Sequence, residues 1–461
     1  MAGAFLDATD PWIRWDWFWR HVPDFEARLV EHVELTVIAV LVGFAIAAPI
    51  GVLAYRWRPL RDPVLAVGGI LYTIPSLALF AFLIPFTGLT FLTSEIALIS
   101  YTILILVRNL VVGLEGVPDD VRDAARGMGY RPLAMLLRVE LPLATPAILA
   151  GVRIATVTTI GLVTVTALIG QGGLGQLINY GLIEDFKTPV VVGTVLSIAL
   201  ALPTSAWPAS SRRSRPGRGH EPPEMDLLNA VVTWFSNPAH WQGPSGVPTR
   251  LLEHLEMSGV AIAAAMLIAL PIGIALGHFG RLGNLAINVS NVGRAIPSFA
   301  ILVLALQVFG LNNYPAFVAL TLLAIPPMLT NSYIAVRDVD PEVKDAARGM
   351  GMRDRRLLAG VELPLALPLI MAGIRTSSVQ VIATATLAAL VAGGGLGRFI
   401  LDGLGQRDDA QVFAGALLVA LLAIAVELLL SGLEQFATPG GMRRRPPVGA
   451  AVVEPGPALA T

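Results

Sequence analysis

Hydrophobic residues are grouped along the chain in separated blocks of roughly 18 to 24 residues, the length of a membrane span. An α-helix rises about 1.5 Å per residue, so each block can cross the ~30 Å hydrocarbon core of a bilayer. The blocks are continuously apolar, whereas the strands of a membrane β-barrel alternate apolar and polar residues over about ten positions. The pattern therefore predicts an all-α, polytopic transmembrane helical bundle.

The sequence predicts five helical spans in each half of the chain. Those of the first half are Leu35–Tyr55, Val64–Pro85, Ile96–Val112, Leu143–Ile169 and a last span that begins near Pro189. Those of the second half are Val260–Leu276, Leu285–Val308, Ala316–Ser332, Leu365–Val391 and Phe413–Leu433. The equal number and order of spans indicate that the chain contains one unit twice.

The two halves also match residue by residue at an offset of 222 positions. The match runs without a gap from Glu31, paired with Glu253, to Gly175, paired with Gly397, and 22 of the 37 positions in Val117–Arg153 are identical to their partners. A register kept through loops as well as spans means that both copies have the same fold. The sequence is a tandem duplication of one five-span unit.

A Pro-, Arg- and Ser-rich segment without periodicity separates the two copies. We expect a first transmembrane domain at 1–202, a linker at 203–224, a second transmembrane domain at 225–440 and a disordered tail at 441–461. The last apolar run of copy one, Val190–Leu202, has only 13 residues and reaches about 20 Å as a helix. Either this run does not cross the membrane, or the chain is an artificial or frameshifted fusion of two neighbouring coding sequences. Met225 resembles a start and favours the fusion.

One segment in each copy carries too many charges to lie in hydrocarbon. In copy one Asp123-Ala124-Ala125 is followed by Gly129 and by Glu140-Leu141-Pro142, and in copy two Asp345-Ala346-Ala347 is followed by Gly351 and by Glu362-Leu363-Pro364. Acidic residues gather where a helix N-terminus favours them, and the glycine supplies a stop. We expect a short surface helix, a glycine turn, a second amphipathic helix and a proline at the start of the next span. The paired alanines leave a helix face almost free of side chain, which suits close approach of a partner.

This pattern resembles the EAA loop of permease subunits of binding-protein-dependent ABC importers. In that family the loop forms a coupling helix that inserts into a cleft of the cytoplasmic ATPase subunit. Both copies carry aspartate, Asp123 and Asp345, where glutamate is usual, and the change keeps the charge. The resemblance implies two coupling helices, two cytoplasmic ATPase subunits and an extracytoplasmic substrate-binding protein as partners, with the chain in the bilayer of the bacterial cytoplasmic membrane.

The short five-span unit has Ile-Pro-Ser in its second span and Gly-Gly-Leu-Gly after its fourth, and it is similar to permeases for quaternary-ammonium osmoprotectants. That resemblance implies glycine betaine, choline or carnitine as the substrate. Methionine permeases are built on a similar short unit with a similar glycine cluster, so a permease for methionine or another small amino acid is the alternative. In these systems substrate choice rests largely on an aromatic cage of the separate binding protein, where cation–π contact suits a quaternary amine.

Several residues inside the spans are candidates for the translocation pathway, namely Pro75, Ser76, Arg153, Pro297, Ser298 and Arg375. A mid-span proline frees a backbone carbonyl that can line a pathway, or it makes only a packing kink. The two arginines lie eleven residues past Pro142 and Pro364, about 16 Å along the helix. A charge at that depth usually faces the bundle interior or a water-filled path. We predict contact between the two halves, with a snorkelling side chain as the alternative.

Composition and motif searches narrow the class of function. Of the 461 residues, 55% are hydrophobic and 14% are charged, whereas about 25% of the residues of soluble proteins are charged. The mean hydropathy is +0.70. Cysteine is absent, which excludes disulfides, thiolate metal sites and iron–sulfur clusters. The six histidines show no metal-ligand spacing and no activated nucleophile recurs, so we predict no metal, cofactor, catalytic residue or nucleic-acid partner. Basic residues collect in short loops such as 56–61, which the positive-inside rule places in the cytoplasm.

Nucleotide-binding motifs do not assign ATP hydrolysis to this chain. Gly170–Gly175 fits G-x-G-x-x-G, but it ends a span instead of following a strand and predicts a tight extracytoplasmic turn. No G-x-x-x-x-G-K-[ST] occurs, so the expected role is a transporter permease whose ATPase is a partner subunit. The resemblance implies alternating access between two parallel repeats. A secondary transporter of parallel-repeat type is the competing class, but it would place its coupling charges in mid-span, whereas here the repeated charge lies in a loop.

Overall fold

The computed structural model describes residues 11–204, 224–280, 293, 296–391 and 393–437. Over these residues the chain is built from helices without strands, and seven helices are long and apolar enough to cross a membrane. The prediction of an all-α polytopic bundle is confirmed. The predicted linker and tail fall almost wholly on 205–223 and 438–461, outside the described residues.

The helices of copy one follow the predicted order of spans, with additional short helices between them. They are α1 (Trp15–Arg20), α2 (Val22–Arg56), α3 (Arg58–Thr73), α4 (Ser76–Thr87), α5 (Phe91–Glu115), α6 (Asp119–Gly127), α7 (Pro132–Ile169), α8 (Leu174–Ile183) and α9 (Lys187–Thr204).

Copy two repeats this order. Its helices are α10 (Glu224–Ser236), α11 (Val247–Phe279), α12 (Ser298–Phe309), α13 (Tyr314–Arg337), α14 (Pro341–Gly349), α15 (Asp354–Val391), α16 (Gly397–Gln406) and α17 (Asp409–Ala437). The counterpart of α3 falls on 281–295, most of which lies outside the described residues.

The predicted second span of copy one is two helices, α3 and α4, because a proline interrupts it. Pro75 lacks a backbone N–H and disfavours helical backbone at Ile74, so α3 ends at Thr73 and α4 starts afresh at Ser76. The hydroxyl of Tyr101 on α5 donates a hydrogen bond to the carbonyl of Ile74, at the break between the two helices. In copy one this carbonyl is therefore bound within the chain.

The last span of copy one is longer than its apolar run suggested. α9 has 18 residues, about 27 Å of helix, because it takes in three residues before the apolar run, 187–189, and two after it, 203–204. The hydroxyl of Thr188 accepts a hydrogen bond from the backbone N–H of Arg14 at 2.9 Å, which ties the start of α9 to the N-terminal segment. Its counterpart α17 has 29 residues.

A buried histidine joins the first and fourth spans of each copy. His32 Nε2 donates to the carbonyl of Ile160 at 3.1 Å, and His254 Nε2 donates to the carbonyl of Ile382 at 3.0 Å. The glycine turn after the fourth span packs against the same place. A Cβ on Gly173, where φ is +48°, would lie 2.6 Å from the backbone of His32, so only glycine fits there.

The two copies contact each other in two equivalent places, each formed by the second half of the second span of one copy and the last helix of the other. α4 of copy one packs on α17 of copy two, and α12 of copy two packs on α9 of copy one. Phe80 of copy one and Phe299 of copy two sit fully buried in the same apolar core that joins the halves. The rings of Phe82 and Phe413 lie across the boundary with centroids 4.8 Å apart. The contact between the halves is therefore largely apolar.

Candidate functional site

Each charged loop forms a nine-residue docking helix, α6 in copy one and α14 in copy two, between the third and fourth spans. Asp119 and Asp120 lie in the first turn of α6, and Arg126 lies in the last, as the helix dipole favours. In α14 the side chain of Asp340 caps the start by accepting a hydrogen bond from the N–H of Glu342 at 2.9 Å. The predicted surface helices therefore form where the sequence places them.

The predicted glycine stops end both docking helices. Gly129 has φ +81° and Gly351 has φ +83°, a left-handed backbone that glycine adopts without steric cost. The following residue then folds back on the helix: the N–H of Tyr130 donates to the carbonyl of Ala125 at 3.1 Å, and that of Met352 donates to Ala347 at 3.2 Å. These bonds satisfy helix carbonyls that otherwise have no partner.

The two alanines of each motif face opposite ways, which differs from the single open face that the sequence suggested. Ala124 and Ala346 are exposed, as are the neighbouring Asp123 and Asp345. The second alanines, Ala125 and Ala347, are only 1% and 2% exposed because they rest on the bundle of their own chain. The first alanine is thus available to a partner, and the second lets the docking helix lie close to the spans.

An exposed methionine follows each docking helix. Met128 and Met350 are 71% and 72% exposed, and they sit beside the accessible alanines. Methionine is flexible and polarisable, and it suits a contact surface that must fit a partner. The outer face of each docking helix therefore combines a carboxylate, a small residue and an apolar knob.

Glu140, at the start of the fourth span of copy one, is a buried carboxylate with partners from two other segments. The hydroxyl of Tyr55 on α2 donates to Glu140 Oε1 at 2.8 Å, and Arg122 Nε on α6 forms an ion pair with the same oxygen at 3.5 Å. The side chain of Glu140 is 3% exposed and that of Arg122 is 12% exposed. A carboxylate taken out of water needs such compensation.

Copy two builds the same arrangement from different side chains. His278 Nδ1 on α11 donates to Glu362 Oε2, and Lys344 Nζ on α14 lies 3.7 Å from Glu362 Oε1. Lys344 matches Arg122 at the 222-residue offset, whereas His278 matches Arg56 and not Tyr55. The fixed parts of the arrangement are the carboxylate and the cation of the docking helix.

Each of these cations also binds the end of the third span. Arg122 Nη2 donates to the carbonyl of Leu114 at 2.7 Å, and Lys344 Nζ donates to the carbonyls of Val336 at 2.9 Å and Arg337 at 3.2 Å. A cation at a helix C-terminus is favoured by the helix dipole and by unpaired carbonyls.

The surroundings of Arg122 favour its charged form. Burial lowers its pKa, but the hydrogen bond to Asp119 and the neighbouring charges, including Glu140, outweigh that effect and raise the pKa above its usual value. The guanidinium therefore stays positive across the physiological pH range.

A turn of π-helix precedes each predicted proline at the start of the fourth span. The N–H of Leu141 donates to the carbonyl of Leu136, and that of Leu363 to Leu358, each five residues back. Pro142 and Pro364 cannot donate, and their rings would clash with the carbonyl four residues earlier, so the wider turn accommodates them. The wider turn also places Glu140 and Glu362 at its last position, facing inward.

The predicted pathway arginines have different surroundings in the two copies. Arg153 is exposed on α7, whereas Arg375 on α15 forms ion pairs with Glu427 at 3.7 Å and Glu434 at 3.3 Å. Both partners lie on α17 of the same copy, so these ion pairs join helices within copy two and not the two halves. Glu427, a carboxylate within an otherwise apolar run, is therefore paired with Arg375.

The predicted prolines and serines of the second spans lie at the starts of the helices through which each copy contacts the other. Pro75 and Pro297 cap α4 and α12, and Ser76 and Ser298 are the first residues of these helices. Both helices contact the opposite half of the chain. In the part of the chain that the structure describes, no group of three or more metal-ligating side chains comes together.

Tyr55, Arg122, His278 and Lys344 are the site residues that sequence reasoning missed. Their partners come from separate spans, so no local motif marks them. One signal was present, because a cation directly precedes Asp123 and Asp345 in both copies.

Comparison with known proteins matches both copies to one family. Residues 39–210 and 261–438 match the family described as "Binding-protein-dependent transport system inner membrane component". Together these segments cover well over half of the chain. The two matches agree with the duplication seen in the sequence.

Individual relatives correspond to one copy each. The carnitine transport permease protein OpuCB of Listeria monocytogenes is 38% identical over 216 residues, 47% of this chain and 97% of that protein. The choline transport system permease protein OpuBB of Bacillus subtilis is 38% identical over 192 residues, 42% of this chain and 88% of that protein. The osmoprotectant import permease protein OsmW of Salmonella typhimurium is 34% identical over 196 residues, 41% of this chain and 91% of that protein.

The family resemblance drawn from the charged loops is confirmed, and the competing class of secondary transporter is not supported. The apolar helices and the family description agree on a multi-pass protein of the inner, or plasma, membrane. The chain belongs to the binding-protein-dependent transport system inner membrane component family and carries that component twice in tandem.

Proposed function

We propose that this chain supplies both permease domains of an ABC importer for a small quaternary-ammonium osmoprotectant such as glycine betaine, choline or carnitine. The observation that carries the proposal is the pair of docking helices, each with an exposed outer face and a buried link to the spans beside it. The names of the relatives support the substrate class over methionine. ATP hydrolysis is the work of two partner subunits.

In this proposal α6 and α14 each enter the cleft of one cytoplasmic ATPase subunit. Asp123, Ala124, Asp345 and Ala346 form the face that enters, because they are exposed. The other residues of the motif support that face: Ala125 and Ala347 seat the helix, Gly129 and Gly351 end it, and Glu140, Pro142, Glu362 and Pro364 join it to the next span.

The translocation pathway runs between the two copies, where α4 and α12 cross to the opposite half. Pro75, Ser76, Pro297 and Ser298 begin these helices and are placed to line it. A loaded binding protein docks at the end of the bundle away from α6 and α14. Closure of the ATPase subunits moves the docking helices, and the two bundles then open the path to alternate sides.

The docking half of the proposal is tested with substitutions at the exposed alanines. The chain is purified with its ATPase subunit, with and without Ala124→Arg plus Ala346→Arg. We expect the ATPase to copurify with the unchanged chain and to be lost from the double variant. Glu115→Arg is the control. Glu115 is the last residue of α5, near the docking helix, and the substitution alters only a surface ion pair between Glu115 and Arg61 of α3. Absence of ATPase from the unchanged chain overturns the proposal.

The substrate half is tested by uptake in cells that lack the gene and in cells to which it is restored. Radiolabelled glycine betaine, choline, carnitine and methionine are compared at high osmolarity. We expect uptake of one or more quaternary amines to depend on the gene and methionine uptake to be unaffected. Dependence of methionine uptake alone supports the amino-acid alternative and contradicts the substrate assignment.

A further inference from the structure

We propose that Arg122 and Lys344 are positioning residues that lock each docking helix to the spans on either side, so that ATPase movement is transmitted to the pathway. We call each cation, together with its buried glutamate, a coupling latch: Arg122 with Glu140 in copy one and Lys344 with Glu362 in copy two. The inference rests on the proposed function, because it assigns these residues a task within ATP-driven transport.

The copy-one latch joins four segments through one side chain. Arg122 Nη1 binds Asp119 Oδ1 at 2.6 Å in its own helix, Nη2 binds the carbonyl of Leu114 at the end of α5, and Nε pairs with Glu140 in α7. Its guanidinium also lies over the ring of Tyr55 at the end of α2, 5.8 Å from the centroid. The docking helix is thereby held to the first, third and fourth spans.

The copy-two latch reaches the same three spans. Lys344 binds carbonyls at the end of α13 and pairs with Glu362 in α15, and His278 brings the end of α11 to the same carboxylate. The partner from the first span has changed between the copies, but the cation and the glutamate have not. What both copies retain is the link from the docking helix to the third and fourth spans.

Stability alone does not account for such a pair. Taking a carboxylate and a cation out of water is costly, and apolar side chains of similar size often stabilise a protein as well or better. The link has a mechanical use, however. Backbone connections to α6 are only two short turns, 116–118 and 128–131, so contacts of its side chains fix its angle to the spans.

The two latches are chemically unequal. The guanidinium of Arg122 is a rigid fork that hydrogen-bonds Asp119 and Leu114 through separate nitrogens and forms an ion pair with Glu140, whereas lysine is a single point charge on a flexible stem. Lys344 links the third span and the glutamate through one nitrogen, so lysine at position 122 would keep those two links but lose the separate Nη1 bond to Asp119. We therefore expect Arg122→Lys to weaken coupling, and Lys344→Arg to preserve it.

The test uses the whole transporter, with its ATPase subunits and binding protein, in proteoliposomes. Substrate transported per ATP hydrolysed is measured for the unchanged chain, for Arg122→Ala plus Lys344→Ala, and for Arg122→Lys. We expect the ATPase subunits to remain bound and hydrolysis to continue, while transport per ATP falls about tenfold in the alanine variant and less in the lysine variant. Glu115→Gln, which removes an exposed ion pair at the same end of the bundle, leaves the ratio unchanged.

Glu140→Gln keeps the volume of the side chain and removes only its charge, so it replaces the alanine variant if that variant fails to assemble. An unchanged ratio of transport to hydrolysis in Arg122→Lys and Glu140→Gln, with ATPase subunits bound, overturns the latch but leaves the proposed function intact. Failure of the unchanged chain to bind any ATPase overturns the proposed function instead.

Discussion

Ala124 and Ala125 are neighbours in the sequence but serve opposite sides of the docking helix. Ala124 faces solvent, and Ala125 rests on the bundle at 1% exposure. The same division holds for Ala346 and Ala347. A substitution at one of each pair therefore probes the partner surface, and a substitution at the other probes the fold.

This division predicts different outcomes for Ala124→Glu and Ala125→Glu. Glutamate at position 124 leaves the thermal unfolding temperature of the detergent-solubilised chain unchanged but abolishes copurification of the ATPase. Glutamate at position 125 buries an unpaired charge and destabilises the chain by about 2–4 kcal/mol, which lowers the unfolding temperature. Equal unfolding temperatures for the two variants would contradict the burial of Ala125.

At this scale the sequence identified the residues of the motif but not the partners of the buried ones. Asp123, Gly129 and Glu140 follow one another at fixed spacing, so a local pattern reveals them. Tyr55 lies 85 positions from Glu140, and only the folded bundle brings the two together. The ion pairs of Arg375 with α17 were missed for the same reason, since packing of separate helices decides them.

At the scale of elements, the C-terminal end of each docking helix is set by its glycines. Gly127 and Gly129 are two residues apart, and a Cβ on either would meet open space. They differ in backbone, because only Gly129 has a positive φ, of +81°. Conformation and not packing therefore distinguishes the two positions.

We expect Gly129→Ala and Gly127→Ala to act in opposite directions. Alanine at position 129 is strained by about 1 kcal/mol or more, so it shifts the end of α6 and weakens ATPase binding. Alanine at position 127 favours helix by about 0.5–1 kcal/mol and preserves binding. The measurement is the affinity of the purified ATPase subunit for each variant, with Gly349→Ala and Gly351→Ala as the equivalent pair in copy two. A similar loss for both members of a pair would show that the backbone at Gly129 is not what matters.

Element boundaries were predicted well where a strong local signal exists. The apolar runs located the long spans, and the acid-rich start and glycine stop located α6 and α14. The apolar run Val64–Pro85 predicts one span, in which Pro75 either frees a pathway carbonyl or makes a kink, because apolar residues continue on both sides of it; the structure instead has two helices there. The last span of copy one is predicted to begin near Pro189, and α9 begins two residues earlier, at Lys187, where Thr188 binds the N-terminal segment.

In the whole molecule the absence of cysteine makes the contact between the halves directly testable. The rings of Phe82 and Phe413 face each other across it at 4.8 Å. We expect a short bifunctional methanethiosulfonate reagent, which joins two thiols through disulfide bonds at its ends, to crosslink Phe82→Cys plus Phe413→Cys within the chain, seen as altered mobility on a denaturing gel that reductant reverses. Phe82→Cys plus Thr376→Cys, with the second site exposed on α15, is the control.

The crosslink also bears on alternating access. If the path opens between α4 and α17, the crosslinked double variant stops transporting substrate and recovers when reductant removes the crosslink. Full transport by the crosslinked chain would mean that the pathway lies elsewhere.

Joining two copies in one polypeptide has a consequence for assembly. Separately made subunits can pair with themselves, so a cell that makes two kinds also risks two kinds of homodimer. Here every molecule necessarily contains one arginine latch and one lysine latch, one Tyr55 and one His278. Two identical ATPase subunits would therefore always bind two non-identical docking helices. The movements of α6 and α14 during one transport cycle would then differ from each other.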